Sequence, residues 1–358
     1  MADLCEICRA PLPDKELSGC RAANGVYGVR VCGNCGVGVT VPQPTPETLA
    51  ALYETGAYRE KGGKRFVFFV EAVIYLFRQL RKRKVKRYAS TAGDCGSLLD
   101  VGCGRGLFLH VMKEAGWSVA GVEFDSATAC NVSDAYNIEC KWGEPQQWGL
   151  PDASFDVITI NHVLEHVNNP RQLISTCNRL LKDGGCLIVA VPNFSSLQAR
   201  IGRGCWFHLD TPYHLHHFSE KGLMLLLQEA SMTVRDVNHF DAEYAPFGWL
   251  QTLLNLTGIR KNLLYNILKN QQARKRELTA VTGKTVALNF MLLPFFAPAA
   301  VVLSLYESFV AKSGGTIEVI AVKDTLKKIK QRERYDIREK DSSGHARLQC
   351  GEDPEADV

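Results

Sequence analysis

The sequence carries little net charge and shows no segment that would mark it for export. Its 42 Lys and Arg residues nearly balance its 38 Asp and Glu residues, which leaves a net charge of +4. This small positive excess gives the whole chain no electrostatic reason to bind nucleic acid. Only local clusters of basic residues could bind it. There is no internal repeat, and the N-terminal MADLCEICRA contains acids and no apolar run of the kind found in secretory signal peptides. These absences predict a cytoplasmic protein without a repeat architecture.

The composition is that of a folded protein rich in thiols. The 358 residues suffice for one large domain and a small one, and 46% of them are hydrophobic and 22% charged. The chain has 13 cysteines. Without export, that number favours reduced thiols and metal ligands over a disulfide framework.

Four cysteines form two C-x-x-C pairs near the N-terminus. Cys5 and Cys8 make the first pair, and Cys32 and Cys35 make the second after a separation of 23 residues. Tetrahedral Zn²⁺ binds four thiolates, and each pair on a tight turn can supply two. Four thiolates would leave no open position on the metal, so we expect a structural zinc ion. A redox-active dithiol is the alternative.

A glycine-rich turn follows an apolar strand in LLDVGCGRG. The strand ends at Asp100, and glycines follow at alternate positions, where they allow a sharp turn and a close approach of the backbone to a ligand. The spacing G-x-G-x-G differs from the G-x-G-x-x-G of dinucleotide binders. An acid two residues before the first glycine suits a cationic amino-acid group better than a phosphate. The next strand ends at Glu123, whose carboxylate could accept both hydroxyls of a ribose.

Strands and helices alternate through the rest of the chain. SVAGVEF, FDVITIN and CLIVAVP are predicted strands, and helices are expected after Asp125, Pro170 and Ser219. Two more strands are predicted at 233–240 and 315–323, and an insertion lies between them. The alternation predicts an α/β fold in which helices cover both faces of a mainly parallel sheet.

These motifs resemble the class I S-adenosylmethionine-dependent methyltransferases, in particular the bacterial group that includes the ubiquinone-biosynthesis O-methyltransferases. The resemblance rests on LLDVGCGRGLFL, GVEFD, LPDASFDVITINHVLEHVNNP and LLKDGGCLIVAVPN, which span residues 97–193 in the order that the family shows. It implies a Rossmann-like sheet of seven strands, S-adenosylmethionine as the cofactor and methyl transfer as the activity.

The resemblance also implies where the cofactor would lie. The methionine part would be held by the acid and the turn that follows it, that is by Asp100, Gly102, Cys103, Gly104 and Gly106. Glu123 would bind the ribose, and Asn161 with His162 would close over the methionine end. Phe124 and the loop around Glu144 would flank the adenine, although WGEPQQW departs from the acid-plus-hydrophobe pattern usual there.

A second resemblance covers the N-terminal segment. VCGNCGVGVTVPQPTPETLAALYETGAY is similar to the zinc-ribbon leader that precedes many bacterial methyltransferases. Those proteins continue with PN after a strand and then with a histidine-rich segment, which in this chain is WFHLDTPYHLHHFS. The resemblance therefore extends to about residue 230.

Two groups of residues are candidates for the chemistry. Methyl transfer from a sulfonium depends mainly on positioning, and a base is needed only when the acceptor is a hydroxyl or a carbon acid. His166 could be that base, with Glu165 orienting it or binding a metal, or the two residues could only cap and pair. The second group follows the strand that ends at Pro192 and consists of His208, Asp210, His214, His216 and His217. His214 and His217 are the preferred catalytic pair of this group.

The sequence restricts the acceptor without naming it. Enzymes that methylate exocyclic amines usually carry Asn/Asp-Pro-Pro-aromatic after the fourth strand, where this chain has NHVLEH. An oxygen or carbon of a small-molecule or lipid- or glycan-linked acceptor is therefore expected. A zinc-ribbon RNA methyltransferase and a non-catalytic cofactor-binding scaffold are the alternatives.

Two apolar segments predict peripheral association with the cytoplasmic membrane. Residues 285–306 are uncharged and long enough to cross a bilayer, but Pro294 and Pro298 are expected to break them, and the strand at 315–323 must rejoin the sheet. Residues 66–77 precede the basic RQLRKRKVKR, which suits anionic head groups. The alternatives are a core helix and an RNA-binding patch.

The sequence thus divides into four parts. We expect a zinc-ribbon module at 1–45, a helical linker with a basic run at 46–92, and a methyltransferase domain at 93–323 with an apolar insertion at 244–312. The polar tail at 324–358 is expected to be largely disordered.

Overall fold

The computed structural model describes residues 3–17, 26–45, 47–49, 51, 66–89, 95–269 and 271–324. Its strands are β1 (Gly28–Val31), β2 (Gly38–Val41), β3 (Ser97–Val101), β4 (Ser118–Glu123), β5 (Glu139–Trp142), β6 (Phe155–Asn161), β7 (Leu181–Pro192), β8 (His216–His217), β9 (Met232–Asn238) and β10 (Thr316–Lys323). Its helices are α1 (Phe68–Tyr88), α2 (Leu107–Glu114), α3 (Ser126–Tyr136), α4 (Pro170–Leu180), α5 (Leu197–Gly202), α6 (Glu220–Glu229), α7 (Ala245–Leu256), α8 (Leu263–Leu268), α9 (Gln271–Ala280), α10 (Gly283–Met291) and α11 (Leu293–Leu305). The predicted tail at 324–358 lies outside these residues except for Asp324.

Seven strands form one sheet in the order β5-β4-β3-β6-β7-β10-β9. The five strands from β5 to β7 run parallel, whereas β10 pairs antiparallel with both β7 and β9. The predicted α/β sheet is confirmed, and so is the helical insertion before its last strand.

Helices cover both faces of this sheet because its central strands are apolar on both sides. Leu99 faces a buried cluster that includes Leu173 of α4 and Leu226 of α6. Its neighbour Leu98 faces the opposite cluster, which includes Val85 of α1 and Phe108 of α2. Successive residues of a strand point to opposite faces, so each strand contributes to two cores.

The predicted helix starts are confirmed by their caps. Asp125 and Ser219 each accept a hydrogen bond from a backbone N–H in the first turn of α3 and α6. Pro170 is the first residue of α4, where its missing N–H costs no helical hydrogen bond.

A second, smaller sheet is built from the cysteine-containing segment. β1 and β2 form an antiparallel hairpin, and β8 adds to β2 to give the order β1-β2-β8. This unit is not separate from the main sheet, because Cys35 and Val37 belong to the same buried cluster as Leu173 and Leu226.

The insertion between β9 and β10 is helical from α7 to α11. α10 ends at Met291 and α11 begins at Leu293, so the expected break near Pro294 is present. The prediction was wrong for Pro298, which lies inside α11. A proline removes one helical hydrogen bond. α11 nevertheless continues through Pro298, and it packs against α7.

Candidate functional site

The glycine turn that follows β3 has the backbone that its sequence requires. Gly102, Gly104 and Gly106 have φ angles of 70°, 55° and 71°, in the left-handed region that favours glycine. A Cβ on Gly102 would lie 2.2 Å from Val163, and one on Gly106 would lie 2.7 Å from Val132. A Cβ on Gly104 would meet nothing within 4 Å. Gly104 is thus the member of the turn that faces open space, as a ligand-contacting glycine must.

Glu123 holds this turn from the end of the neighbouring strand. Its Oε2 accepts a hydrogen bond of 2.8 Å from the N–H of Gly104, and its Oε1 accepts one of 2.9 Å from the N–H of Phe124. Burial is the main cause that raises the pKa of Glu123. The carboxylate predicted to bind a ribose therefore lies next to the glycine that borders the open space.

Asp100 is buried and held by two partners. Its Oδ1 accepts hydrogen bonds from Thr159 Oγ1 at 2.5 Å and from Arg81 Nη2 at 3.1 Å. Arg81 comes from α1 and also lies over the ring of Phe108, 4.1 Å from its centroid. Arg81 was not predicted as a site residue, because the basic run RQLRKRKVKR indicated only contact with anionic head groups or RNA.

The residues expected around the adenine lie at the ends of β4 and β5. Phe124 follows β4 and is partly exposed, and Glu144 follows β5 and is exposed. The side chain of Glu144 accepts a hydrogen bond from the backbone of Gln147 and so caps a short 3₁₀ turn. β4 and β5 are parallel neighbours, so both residues lie at the same edge of the sheet.

Beyond the end of β6 a buried carboxylate lies among histidines. Glu165 is 1% exposed, and its Oε1 is 3.6 Å from His162 Nδ1 and 3.9 Å from His214 Nε2. Neither of its oxygens has a hydrogen-bond partner among the described residues. Burial alone would raise the pKa of Glu165, but the polar contact with His162 and the charges of His166 and His214 lower it to about 2. The site therefore keeps an anion in its interior.

The neighbouring backbone fixes the tautomer of His166. Its Nδ1 is 2.8 Å from the carbonyl oxygen of Tyr213, and a carbonyl only accepts, so Nδ1 carries the proton. Nε2 is then the ring atom that can take up a proton. The ring of His214 packs edge-on to that of His166 with centroids 4.6 Å apart, and burial lowers the pKa of His214 to about 3.

The other predicted residues of the histidine-rich segment occupy different places. His208 is buried, its ring centroid is 6.2 Å from that of His162, and burial lowers its pKa. His217 is buried, with Nε2 3.1 Å from Thr40 Oγ1, and His216 Nε2 is 3.4 Å from Glu6 Oε2. The structure thus brings His162, His166 and His214 together around Glu165 and directs His216 and His217 toward the N-terminal segment.

Two residues next to these histidines carried no sequence signal. Tyr244, from the insertion, packs its ring 4.1 Å from that of His162. Thr40, from β2, donates a hydrogen bond of 2.6 Å to the carbonyl oxygen of His214. Both lie far in sequence from the residues they contact.

The four N-terminal cysteines converge on one point. Their Sγ atoms all lie within 4.8 Å of one another, with Cys5 and Cys35 at 3.6 Å and Cys8 and Cys32 at 3.4 Å. A tetrahedral Zn²⁺ with Zn–S bonds of about 2.3 Å separates its sulfur ligands by about 3.8 Å. The donor set and its spacing fit such an ion.

Comparison with known proteins finds a match to the part of the chain that contains most of the seven-stranded sheet. Residues 73–237 match the family model described as a methyltransferase domain. A probable S-adenosylmethionine-dependent methyltransferase of Mycolicibacterium smegmatis is 31% identical over 155 residues, which cover 42% of this chain and 57% of that protein. A ubiquinone biosynthesis O-methyltransferase of Maricaulis maris is 38% identical over 105 residues, which cover 28% and 41%.

Solved structures are also similar to this chain, at lower sequence identity. A crystal structure of a SAM dependent methyltransferase from Archaeoglobus fulgidus is 22% identical, with a TM-score of 0.42, and covers 69% of this chain and 94% of that one. The chain spans about half the length of the first curated relatives it matches. The motifs, the seven-stranded sheet and the match of residues 73–237 agree, and this part of the chain is similar to the class I S-adenosylmethionine-dependent methyltransferases.

Proposed function

We propose that this chain transfers the methyl group of S-adenosylmethionine to an oxygen or carbon of a small-molecule or lipid-linked acceptor. The observation that carries the proposal is the adjacency of two turns. The glycine turn follows β3 and the histidine turn follows β6, and these strands are hydrogen-bonded neighbours. Val163 of the second turn packs against Gly102 of the first. A ligand over Gly104 would therefore lie beside His162 and Glu165.

The residues around this space have distinct roles in the proposal. Bound S-adenosylmethionine supplies an electrophilic methyl group. The glycine turn and Asp100 position its methionine part, and Glu123 its ribose. His166 takes the acceptor proton on Nε2, because Tyr213 holds Nδ1 as a donor. Glu165 stabilises the imidazolium that results, since it is a buried anion with no hydrogen bond among the described residues.

The test measures cofactor binding and methyl transfer separately. Full-length protein is titrated with S-adenosylhomocysteine to measure the affinity for the cofactor product. Methyl transfer is then measured as the formation of S-adenosylhomocysteine from S-adenosylmethionine, with small phenols and 1,3-dicarbonyl compounds as acceptors. His166→Gln should keep the affinity and lower the transfer rate by about 10²–10⁴-fold. His110→Gln is the matched control, because His110 stacks on Tyr136 elsewhere on the surface. Equal rates for wild type and His166→Gln would refute the assignment of the base.

The alternatives predict other outcomes. Binding of the cofactor without transfer to any acceptor would favour a non-catalytic scaffold. RNA methylation is not favoured, since Arg78, Arg81 and Lys84 of the basic run pair with Glu243, Asp100 and Glu318 instead of facing solvent. A salt-dependent gel shift with RNA would restore that alternative.

We further propose that Cys5, Cys8, Cys32 and Cys35 bind one structural zinc ion. The support is the convergence of four thiols from two C-x-x-C pairs, three of them buried and that of Cys8 partly buried. Zinc would tie residues 3–17 to the β1–β2 hairpin, in addition to the ion pair between Arg30 and Asp3 and the hydrogen bond from the N–H of Leu17 to the carbonyl oxygen of Val29. This proposal requires reduced thiols, as in the cytoplasm, and it keeps residues 1–45 as the proposed zinc-ribbon module, whose small sheet is completed by β8.

We also propose that the insertion lies on a membrane surface. The stretch Leu293–Val310 is long and apolar enough to cross a bilayer, yet only 22% of it is buried. Phe295, Val302 and Phe309 are 73%, 65% and 62% exposed. Glu307 at its end is fully buried and accepts a hydrogen bond from Trp249 Nε1 at 2.6 Å, so this segment is anchored to the fold. An anchored helix with one exposed apolar side suits the bilayer interface better than a crossing.

Cations flank this surface. Lys275 and Arg276 of α9 and Lys284 of α10 are exposed and precede the apolar face along the chain. Anionic head groups would complement them. The basic run 78–87 lies within α1 and contributes less than the sequence suggested, because three of its cations are already paired.

Flotation with phosphatidylglycerol-containing vesicles tests the membrane proposal. The wild type should float, and the triple variant Phe295→Ser, Val302→Ser, Phe309→Ser should stay at the bottom. The matched control replaces the exposed apolar residues Leu4, Leu17 and Val26, which lie outside the insertion, by Ser and should still float. A wild type that does not float would refute the proposal. A dimer that the triple variant dissociates would show that the face binds a second copy instead.

A further inference from the structure

Two thiols outside the four-cysteine cluster meet beneath the glycine turn. Cys103 lies between Gly102 and Gly104, and Cys140 lies on β5. Their Sγ atoms are 3.6 Å apart. Cys103 belongs to the turn predicted to bind the cofactor, and Cys140 has no predicted role.

The contact exists because the strand between them has a glycine at the crossing point. β4 lies between β3 and β5, and Gly121 of β4 is directly opposite Cys140 in the register. A Cβ on Gly121 would lie 2.9 Å from Cys103 Sγ and 3.1 Å from Cys140 Sγ. Any other residue at 121 would push the sulfur atoms apart. The two thiols therefore meet in the space that a side chain at position 121 would occupy.

The two thiols differ in reactivity. The hydrogen bond from Cys103 lowers the pKa of Cys140, and the same hydrogen bond raises the pKa of Cys103. Cys140 is also partly exposed, whereas Cys103 is 9% exposed. By contrast, burial raises the pKa of the isolated thiols of Cys177 and Cys186 to about 12. The thiolate is the reactive form, so Cys140 is the nucleophile of the pair and Cys103 is its nearest partner.

We propose that Cys103 and Cys140 are a redox-sensitive pair that a hydroperoxide converts to a disulfide, and that this disulfide weakens cofactor binding. The Cys140 thiolate attacks a peroxide oxygen, the O–O bond breaks, and a sulfenic acid forms with release of water or an alcohol. The sulfur of Cys103 then attacks the sulfenic sulfur and expels water as the S–S bond forms. Two thiols lose two electrons and the hydroperoxide gains them. A dithiol reductant reverses the change.

The effect on binding follows from the position of Cys103 and rests on the proposed function. The N–H of Cys103 donates to Val122 O at 3.1 Å, and the next N–H, that of Gly104, donates to Glu123. A disulfide would draw Cys103 toward β5 and disturb both hydrogen bonds. Glu123 and Gly104 would then lose the arrangement that we assign to the ribose and the methionine part.

The experiment maps the disulfide and measures binding on the same samples. Trypsin would release Cys103 in 88–105 together with Cys95, and Cys140 in 114–141 together with Cys130. The full-length starting protein therefore carries Cys95→Ser and Cys130→Ser, which replace two exposed thiols. After treatment with hydrogen peroxide, mass spectrometry should find these two peptides linked. The affinity for S-adenosylhomocysteine should fall by about tenfold or more and recover with dithiothreitol.

Adding Cys140→Ser to this protein provides the control. The variant keeps the four N-terminal cysteines, so any loss of affinity caused by their oxidation would persist in it. It should bind S-adenosylhomocysteine normally and lose the peroxide sensitivity. Absence of the linked peptide, or a linked peptide with unchanged affinity, would overturn the inference. Failure of the reduced protein to bind would instead overturn the proposed function, while the linked peptide would still report the disulfide.

Discussion

Replacing the one glycine of the turn after β3 that faces open space should separate cofactor binding from folding. Gly104 has a φ of 55°, and a Cβ there would meet nothing within 4 Å. Gly104→Ala therefore costs only the strain of the left-handed backbone, about 1–2 kcal/mol of the free energy of unfolding. The new methyl group would occupy the space assigned to the methionine part. We expect the affinity for S-adenosylhomocysteine to fall by about tenfold or more, which corresponds to about 1.4 kcal/mol.

The chain offers a matched control for the strain. Gly184 has a φ of 74° and also has nothing within 4 Å of an added Cβ, but it lies near the start of β7, at the opposite end of the sheet from the glycine turn. Gly184→Ala should lose about as much stability and keep full affinity. Gly102→Ala and Gly106→Ala should be less stable than either, because their Cβ atoms would overlap Val163 and Val132.

Urea unfolding and calorimetry together measure these quantities. Unfolding gives the free energy of each variant, and titration at a temperature where all variants are folded gives the affinity. If Gly104→Ala and Gly184→Ala lost the same stability and bound the ligand equally well, the open space at Gly104 would not be the cofactor site.

Three further outcomes follow from the structure. Metal analysis should find about one zinc per chain, and Cys32→Ser should abolish it while cofactor affinity remains; a metal-free chain with a folded N-terminus would contradict this. Burial lowers the pKa of His216 to about 4. Below about pH 6.5 the unfolded chain therefore binds more protons than the folded chain, so the free energy of unfolding should fall as the pH falls, by up to about 1.4 kcal/mol per pH unit from this group. His216→Gln should reduce this slope. Arg81→Met leaves Asp100 buried without its guanidinium and should cost about 3 kcal/mol, whereas Arg83→Met on the exposed side of α1 should cost under about 0.5 kcal/mol; equal costs would refute the role of Arg81.

The parts of the fold that the sequence predicts are those specified by local patterns. β3, β4, β6 and β7 contain apolar runs, and the helices after β4, β6 and β7 begin with the side-chain caps Asp125, Asn169 and Ser196. β5 was not predicted, because its four residues ECKW are half exposed at the sheet edge and show no buried run. An edge strand of this kind takes its conformation from pairing with β4.

The role of the basic run could not be read from its sequence alone. Arg78, Arg81 and Lys84 recur every three residues, a spacing that places them on one face of α1. Their partners Glu243, Asp100 and Glu318 come from three distant parts of the chain. The spacing signals a shared face, but only the assembled sheet shows that this face is covered by acids.

The link between the N-terminal module and the histidines also depends on distant partners. The two residues of β8 form a strand only because β2 is there to pair with them. Through this pairing Thr40 bonds the carbonyl oxygen of His214, and the next backbone N–H, that of Leu215, donates to the carbonyl oxygen of Glu165. The cysteine module is thus part of the support of the candidate base site, while the glycine turn is held by Glu123 and α1. Loss of zinc should therefore disturb the histidines before the cofactor site, which is why Cys32→Ser is expected to lower methyl transfer and leave cofactor affinity intact.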